Sequence, residues 1–452
     1  MLVDVTSKHG QSFVLKINEG EIYIDIACTI PFSKKIASIN NVVGVDVNVK
    51  HMLLATNIID NGNIDGYVNI YKEAISDKEF RAVCDDETLK LFSDYANFVT
   101  FCPIESNMLW ARFCERRGIK NEFAKMEVAF SKVLSNLKKH FLDMGDVERH
   151  IYVSCIWNLR SKLNSYVILK NVYNEQQGIY DKGKEQEYIQ EHPFSNTENG
   201  MGLIRKMKSV SQDIIGCRNN ILQYAYQIFK KNGNDMIGLE KLTTSQFKKE
   251  KGAIGFPTVN SILNFYHILG CTEEEMKERK IYSIIKKGYY NFTYDNNGSV
   301  IDATLSEEAQ MKALRNTSFN LMIKALHFAN IKDYFITLSN NGSVGVALVP
   351  PAYTSQMDSI DHKICCTKDL KPLPKEAVRK KQEYHTNGLP ADFNAAVNIA
   401  HTVSNEKFRN MFLKANTTPL YNEPSYDVLK NIKSENVFLK LKKEKMTKII
   451  AA

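Results

Sequence analysis

Three acidic residues stand where local patterning would hold a carboxylate firmly: Asp46, Glu240 and Asp392. Asp46 lies in the run NNVVGVDVNVK, where Val43, Val45, Val47 and Val49 point one way and Gly44, Asp46, Asn48 and Lys50 the other. Glu240 closes the apolar stretch in DMIGLEKL. Asp392 opens DFNAAVNIAHTV, in which Phe393, Ala396, Val397 and Ala400 form an apolar stripe at helical spacing. Brought to one edge of a mixed sheet, three carboxylates would repel one another and call for hard cations. Two Mg²⁺ or Mn²⁺ ions about 3.5–4 Å apart can activate a water and stabilise the leaving oxygen of a phosphodiester. Each residue alone has an ordinary reading as well. Asp46 could be a solvated strand residue, Glu240 an exposed strand end, and Asp392 a helix N-cap worth about 1 kcal/mol. Spacing alone does not make the three meet.

The elements that must position them are legible in outline. QSFVLKI and EIYIDIACTI flank Asn18-Glu19-Gly20 and predict a hairpin. NNVVGVDVNVK, MLLATNII and YVNIYKEA predict a three-strand antiparallel meander with Asp46 in its first strand. Residues 76 to 231 read as mostly helical. The clearest helix there is IIGCRNNILQYAYQIFKKNG, with Ile214, Ile221, Ala225, Ile228 and Phe229 as its buried stripe and Gly233 as its stop. Residues 174 to 202 are polar and predict an exposed loop or frayed helix end. DMIGLEKL predicts a buried strand, followed by helices to about residue 286. Asn297-Gly298 predicts a hairpin turn within FTYDNNGSVIDATL. NTSFNLMIKALHFANI predicts a helix, and YFITLSNNGSVGVALVPP a hairpin about Asn341-Gly342. Trp110 and Trp157 fall on helical apolar patterns and are expected in the core.

Composition excludes several classes. The chain has 452 residues, 44% of them apolar and 24% charged, which rules out wholesale disorder and fibrous repeats. Its nine cysteines include no Cys-x-x-Cys pair. A reducing, cytoplasmic setting is therefore expected rather than a disulfide scaffold. No apolar run reaches about 18 residues, and MLVDVTSKHGQSF lacks a signal-peptide core, so no membrane partner is expected. Lys and Arg number 59 against 51 Asp and Glu, a net charge of +8 that permits a polyanionic partner. His362, Cys365, Cys366 and His385 could in principle hold zinc. Adjacent cysteines seldom both ligate one ion, so zinc is not expected.

The three acidic segments resemble the three RuvC motifs of TnpB-like transposon nucleases and type V CRISPR effectors. VGVDVNVKHMLLAT is similar to the first motif, a Gly-x-Asp strand followed by a strand ending in Ala-Thr. DMIGLEKL is similar to the second, an apolar strand ending in Glu, one residue, then Leu. ADFNAAVNIA is similar to the third and is the most specific match. The helix bearing Arg218 resembles the family's arginine-bearing helix before the second motif, and VPPAYTSQMDS resembles the segment between the second and third. The run Tyr353-Thr354-Ser355 there continues as Gln356-Met357-Asp358, closer to the zinc-free type V effectors.

The resemblance implies an α/β, RNase H-like (RuvC) mixed sheet with a large helical insertion and a short N-terminal β segment. It also implies metal-dependent DNA cleavage with Asp46, Glu240 and Asp392 as ligands of two Mg²⁺ or Mn²⁺ ions. Asn394 and Asn398 would stabilise the helix behind them. Arg218, Tyr353, Thr354, Ser355, Arg379, Lys380 and Lys381 would contact nucleic acid, although Arg379 to Lys381 read equally as a solvated charge run. On this reading residues 1–40 resemble the end of a wedge domain. Residues 41–75 are RuvC part I, 76–205 the helical insertion, 206–255 part II and 256–330 helices and a hairpin. Residues 331–350 supply RuvC strands, 351–388 a Nuc-like loop region, 389–404 part III and 405–452 a basic tail.

One departure from the family is at the front, where only 45 residues precede Asp46. A guide RNA, or a second chain supplying the recognition region, is thus an open question. So is whether the chain is a fragment, half of a split effector or a stand-alone nuclease. The helical insertion could itself hold nucleic acid through Lys132, Lys138, Lys139 and Arg149. Two alternatives to an RNA- or partner-guided endonuclease remain: a non-catalytic nucleic-acid-binding regulator, and a junction resolvase or transposase on the same fold.

Overall fold

The computed structural model describes residues 4–6, 12–18, 21–26, 41–48, 51–57, 66–182, 184–240, 263, 267–278, 288–349 and 391–404. The strands are β1 (Asp4–Thr6), β2 (Ser12–Asn18), β3 (Glu21–Ile26), β4 (Val42–Val47), β5 (His51–Asn57), β6 (Val99–Pro103), β7 (Met236–Glu240), β8 (Tyr290–Tyr294), β9 (Val300–Leu305) and β10 (Gly345–Val349). The helices before β7 are α1 (Ile70–Ser76), α2 (Lys78–Val83), α3 (Asp86–Ala96), α4 (Ser106–Arg116), α5 (Ala124–Asp143), α6 (Val147–Asp181), α7 (Gln186–Glu191) and α8 (Glu198–Lys231). Those after it are α9 (Glu273–Glu278), α10 (Glu307–Leu326), α11 (Ile331–Asn341) and α12 (Ala391–Ser404).

The chain is mixed α/β. Its central sheet has the order β10-β7-β4-β5-β6. β4, β5 and β6 form an antiparallel meander, while β7 runs parallel to β4 and β10 parallel to β7. The parallel register is fixed at its start. The Asn41 backbone N–H donates to Asp235 Oδ2 at 3.1 Å, and the Asp235 N–H donates to the Asn41 carbonyl at 2.9 Å. One sheet face is strongly apolar, with Val43, Val45, Leu53 and Phe101 buried. Phe101 meets Tyr152 of α6 and Tyr224 and Phe229 of α8 edge-on, so the long helices cover this face. Such T-shaped pairs add about 0.5–1.5 kcal/mol each beyond their buried area. β10 is anchored from the same layer. Tyr226 Oη accepts from the Val344 N–H at 3.0 Å and donates to its carbonyl at 3.1 Å.

The other face carries α12. A Cβ built on Gly44 would lie 1.9 Å from the Ala396 carbonyl oxygen and 2.6 Å from the Ala400 nitrogen. One on Gly238 would lie 2.9 Å from the methyls of Ile399 and Val403. The helix backbone therefore rests directly on β4, and only glycine fits at position 44. Gly44→Ala is expected to cost about 3 kcal/mol, because the clash is with backbone that no rotamer change relieves. Urea unfolding measures it, and a loss below about 1 kcal/mol would mean that the helix seats elsewhere.

The N-terminal hairpin forms as expected, with Asn18 opposite Glu21 and β1 added on the far side of β2. The second hairpin also forms: β8 and β9 pair around Gly298, whose φ of +80° only glycine adopts easily. The helix over 214–229 buries all five expected stripe residues and stops at Gly233 (φ +69°).

Four expectations need correction. The third strand of the meander is Val99–Pro103, within a stretch read as helical, and not YVNIYKEA. There the Val68 N–H is taken by Tyr224 Oη at 3.2 Å, and Asn69 caps α1 by accepting from the Lys72 N–H at 3.0 Å. Residues 331–341 form α11 and not the first arm of a hairpin; Ile331, Phe335 and Ser339 are buried at a spacing of four. The polar stretch after 174 is largely helical. It belongs to α6, α7 and α8, with Tyr173, Phe194 and Leu203 forming a small core beneath it. Since α8 begins at Glu198, it crosses the boundary drawn at 205 without a break. Finally, Trp157 is only half-buried, under the side chains of Arg112 and Lys138, whereas Trp110 is in the core as expected.

Candidate active site

Gly44 and Gly238 are register partners on parallel strands, and both face α12. Side chains alternate along a strand, so Asp46 and Glu240, each two residues further on, share that face. The pairing of Val45 with Leu239 makes them neighbours at the carboxyl ends of β4 and β7. Both are half-buried. Asn48, two residues past Asp46 and on the same face, donates from Nδ2 to Asp46 Oδ2 at 3.5 Å.

Asp392 sits in the first turn of α12, one turn before the Ala396 contact with Gly44. Its Oδ2 accepts a hydrogen bond from Tyr95 Oη at 3.2 Å. Tyr95 is hydrogen-bonded to Asp392 and lies within the field of Asp46. Burial pushes its phenol far above the ordinary range, and the negative fields of Asp392 and Asp46 push it further. Tyr71 is raised by burial first, then by Glu105, with Asp392 contributing. Tyr95 packs edge-on against His51 with centroids 4.8 Å apart, and against Tyr71 at 5.3 Å. Phe393 lies on Phe98 at 4.3 Å, which fixes the start of α12 against the strand that follows α3.

Asp46, Glu240 and Asp392 thus come from two adjacent strand ends and the helix laid across them. Hard cations fit such an all-oxygen donor set. Among the described residues, no three His, Cys, Asp or Glu side chains stand close enough to cage a single ion.

Arg218 is not placed to meet nucleic acid. It is buried, and its Nη1 donates to the carbonyls of Leu326 at 3.0 Å and His327 at 3.1 Å, while Asn219 accepts from Nε and Nη2. It closes the end of α10, where His327 turns into the left-handed region (φ +49°). Burial lowers its pKa. Arg218→Ala is expected to cost about 1–3 kcal/mol by stranding those carbonyls, and to leave the salt dependence of any DNA binding unchanged. Thermal melts with filter-binding at several salt concentrations would show it.

Of the insertion's basic residues, Lys132 pairs with Glu79 at 2.9 Å and Arg149 with Asp146 at 3.5 Å. Lys138 lies over Trp157, and Lys139 is exposed. Tyr353, Thr354, Ser355, Arg379, Lys380 and Lys381 lie outside the described residues, as do His362, Cys365, Cys366, His385 and the basic tail.

Sequence reading missed Tyr95 and Asn48. Asn48 had a signal, its shared face with Asp46. Tyr95 had none, since it reaches Asp392 from 297 positions away.

Compared with protein-family models, the chain matches none, and no curated protein matches it. The functional reading therefore rests on the geometry of the chain itself.

Proposed function

We propose that this chain is a RuvC-type endonuclease hydrolysing DNA phosphodiester bonds with two Mg²⁺ or Mn²⁺ ions. One observation carries the reading: Asp46 and Glu240 lie side by side at the ends of parallel strands, beneath the helix that presents Asp392. The sheet supports it too. An antiparallel meander extended from its first strand by two parallel strands, in the order β10-β7-β4-β5-β6, is compatible with an RNase H-like fold. The partly buried site weakens solvent screening, so the carboxylates attract cations more strongly than surface acids would. Bound ions would supply an activated water and stabilisation of the departing oxygen. Asp46 and Glu240 bind from the rigid sheet, so their spacing is set by strand register. Asn48 steadies Asp46, and Asp392 approaches from α12, whose seat on Gly44 fixes its height above the sheet.

The test is cleavage of single-stranded, forked and four-way DNA by the purified chain in Mn²⁺, beside the Asp46→Ala variant. Metal-dependent cleavage lost in the variant supports the proposal, and cleavage that survives refutes it. The preferred substrate separates a plain nuclease from a junction resolvase or transposase.

A non-catalytic nucleic-acid binder on the same fold is the second reading. A chain that binds DNA yet takes up no Mn²⁺ at millimolar concentration in calorimetry would be this binder. A guide RNA or a second chain as partner belongs to either reading. Sequencing RNA that co-purifies with the protein from its native cells addresses the first.

A further inference from the structure

We infer that Tyr95 is a positioning residue of the carboxylate site, holding Asp392 through its phenol hydrogen bond and tying the helices between β5 and β6 to the metal ligands. The inference rests on the proposed role of Asp46, Glu240 and Asp392 as ligands. Its ground is geometric. Asp392 stands half-buried in the first turn of α12. Tyr95 Oη reaches one of its oxygens at 3.2 Å from a different element, α3. The tyrosine has little freedom to move, being 4% exposed and wedged between His51 and Tyr71.

A bond to one oxygen leaves the other lone pairs of the carboxylate directed elsewhere, and sets the plane of the group. Such a partner behind a ligand fixes its orientation, and its removal typically weakens metal binding about 10–100-fold. The helices α1 to α3 would then be part of the site and not a separate attachment to it.

The experiment is calorimetric titration of Mn²⁺ into the full chain as wild type, Tyr95→Phe and Asp46→Ala, with thermal melts of each. Tyr95→Phe keeps the ring packed on His51 and Tyr71 and removes only the donor. The expected result is Mn²⁺ affinity weakened about 10-fold or more in Tyr95→Phe, with a melting temperature within a few degrees of wild type. Tyr95→Phe binding within twofold of wild type, while Asp46→Ala abolishes binding, overturns the role of Tyr95 and leaves the metal site standing. A loss of affinity that only parallels a large fall in melting temperature also overturns it, since packing would then explain the loss. A wild-type chain that binds no Mn²⁺ removes both this inference and the nuclease reading.

Discussion

Replacing Asp46 by alanine is expected to lower Mn²⁺-dependent DNA cleavage by about 10³-fold or more. That figure follows from several kcal/mol of charge stabilisation by bound metal, at about 1.4 kcal/mol per tenfold in rate. Asp46 is the most exacting of the three positions to test. It lies on β4, the strand at the middle of the sheet, with β5 on one side and β7 on the other. Its backbone is therefore held whatever its side chain, and the substitution removes a carboxylate without unseating an element. Folding should be nearly untouched, because Asp46 is only half-buried and stands at the end of a strand paired on both sides. Rates measured under single turnover, with melting temperature as control, give the result. A fall of less than tenfold at unchanged stability would mean that Asp46 is a strand-end residue and no ligand.

Replacing Glu127 by alanine is expected to destabilise the chain by about 3–5 kcal/mol, the usual cost of leaving a buried charge unpaired. Glu127 on α5 takes Arg160 Nη2 at 2.5 Å and Arg112 Nη1 at 3.4 Å. Arg160 is fully buried, over the ring of Phe130, and its Nη1 donates to the Pro103 carbonyl at 3.1 Å. The pair thus joins two helices to the end of β6. Without Glu127, Arg160 would keep its charge with one neutral acceptor in a dry interior. The double variant Glu127→Leu with Arg160→Met should be milder, since the fully buried guanidinium is gone and only the half-buried Arg112 loses its partner. Urea unfolding of the single and double variants measures the coupling. Equal losses in both would show that packing volume, and not charge, sets the cost.

Local patterning was enough for much of the frame. The alternation in NNVVGVDVNVK placed Asp46 opposite the valine face, and the apolar run in MIGLE ended the second strand on Glu240. The stripe through Phe393, Ala396 and Ala400 made α12, and an Asn-Gly pair made the β8–β9 turn. These features depend on neighbours within a few residues, where side-chain period and glycine conformation decide. Misreadings arose where a short segment had two possible partners. VTFCP is a five-residue buried run among helices, and such a run fits strand or helix until β5 is there to pair with it. YVNIYKEA carries strand-like residues, yet the hydroxyl of Tyr224, 156 positions away from Val68, takes its backbone donor. Arg218 looked like a cation for nucleic acid because nothing in its helix reveals that α10 ends against it.

What the chain's own residues settled was which carboxylates stand on ordered elements, because periodicity acts over one strand or one helical turn. Tertiary structure alone decided their company. Asp46 and Glu240 became neighbours through the register of β4 with β7. Asp392 was brought over them by two glycines that let a helix lie flat on the sheet, and its hydrogen-bond donor came from α3. Contacts across such distances in sequence are set by which surfaces bury best against each other, and no local pattern encodes that choice.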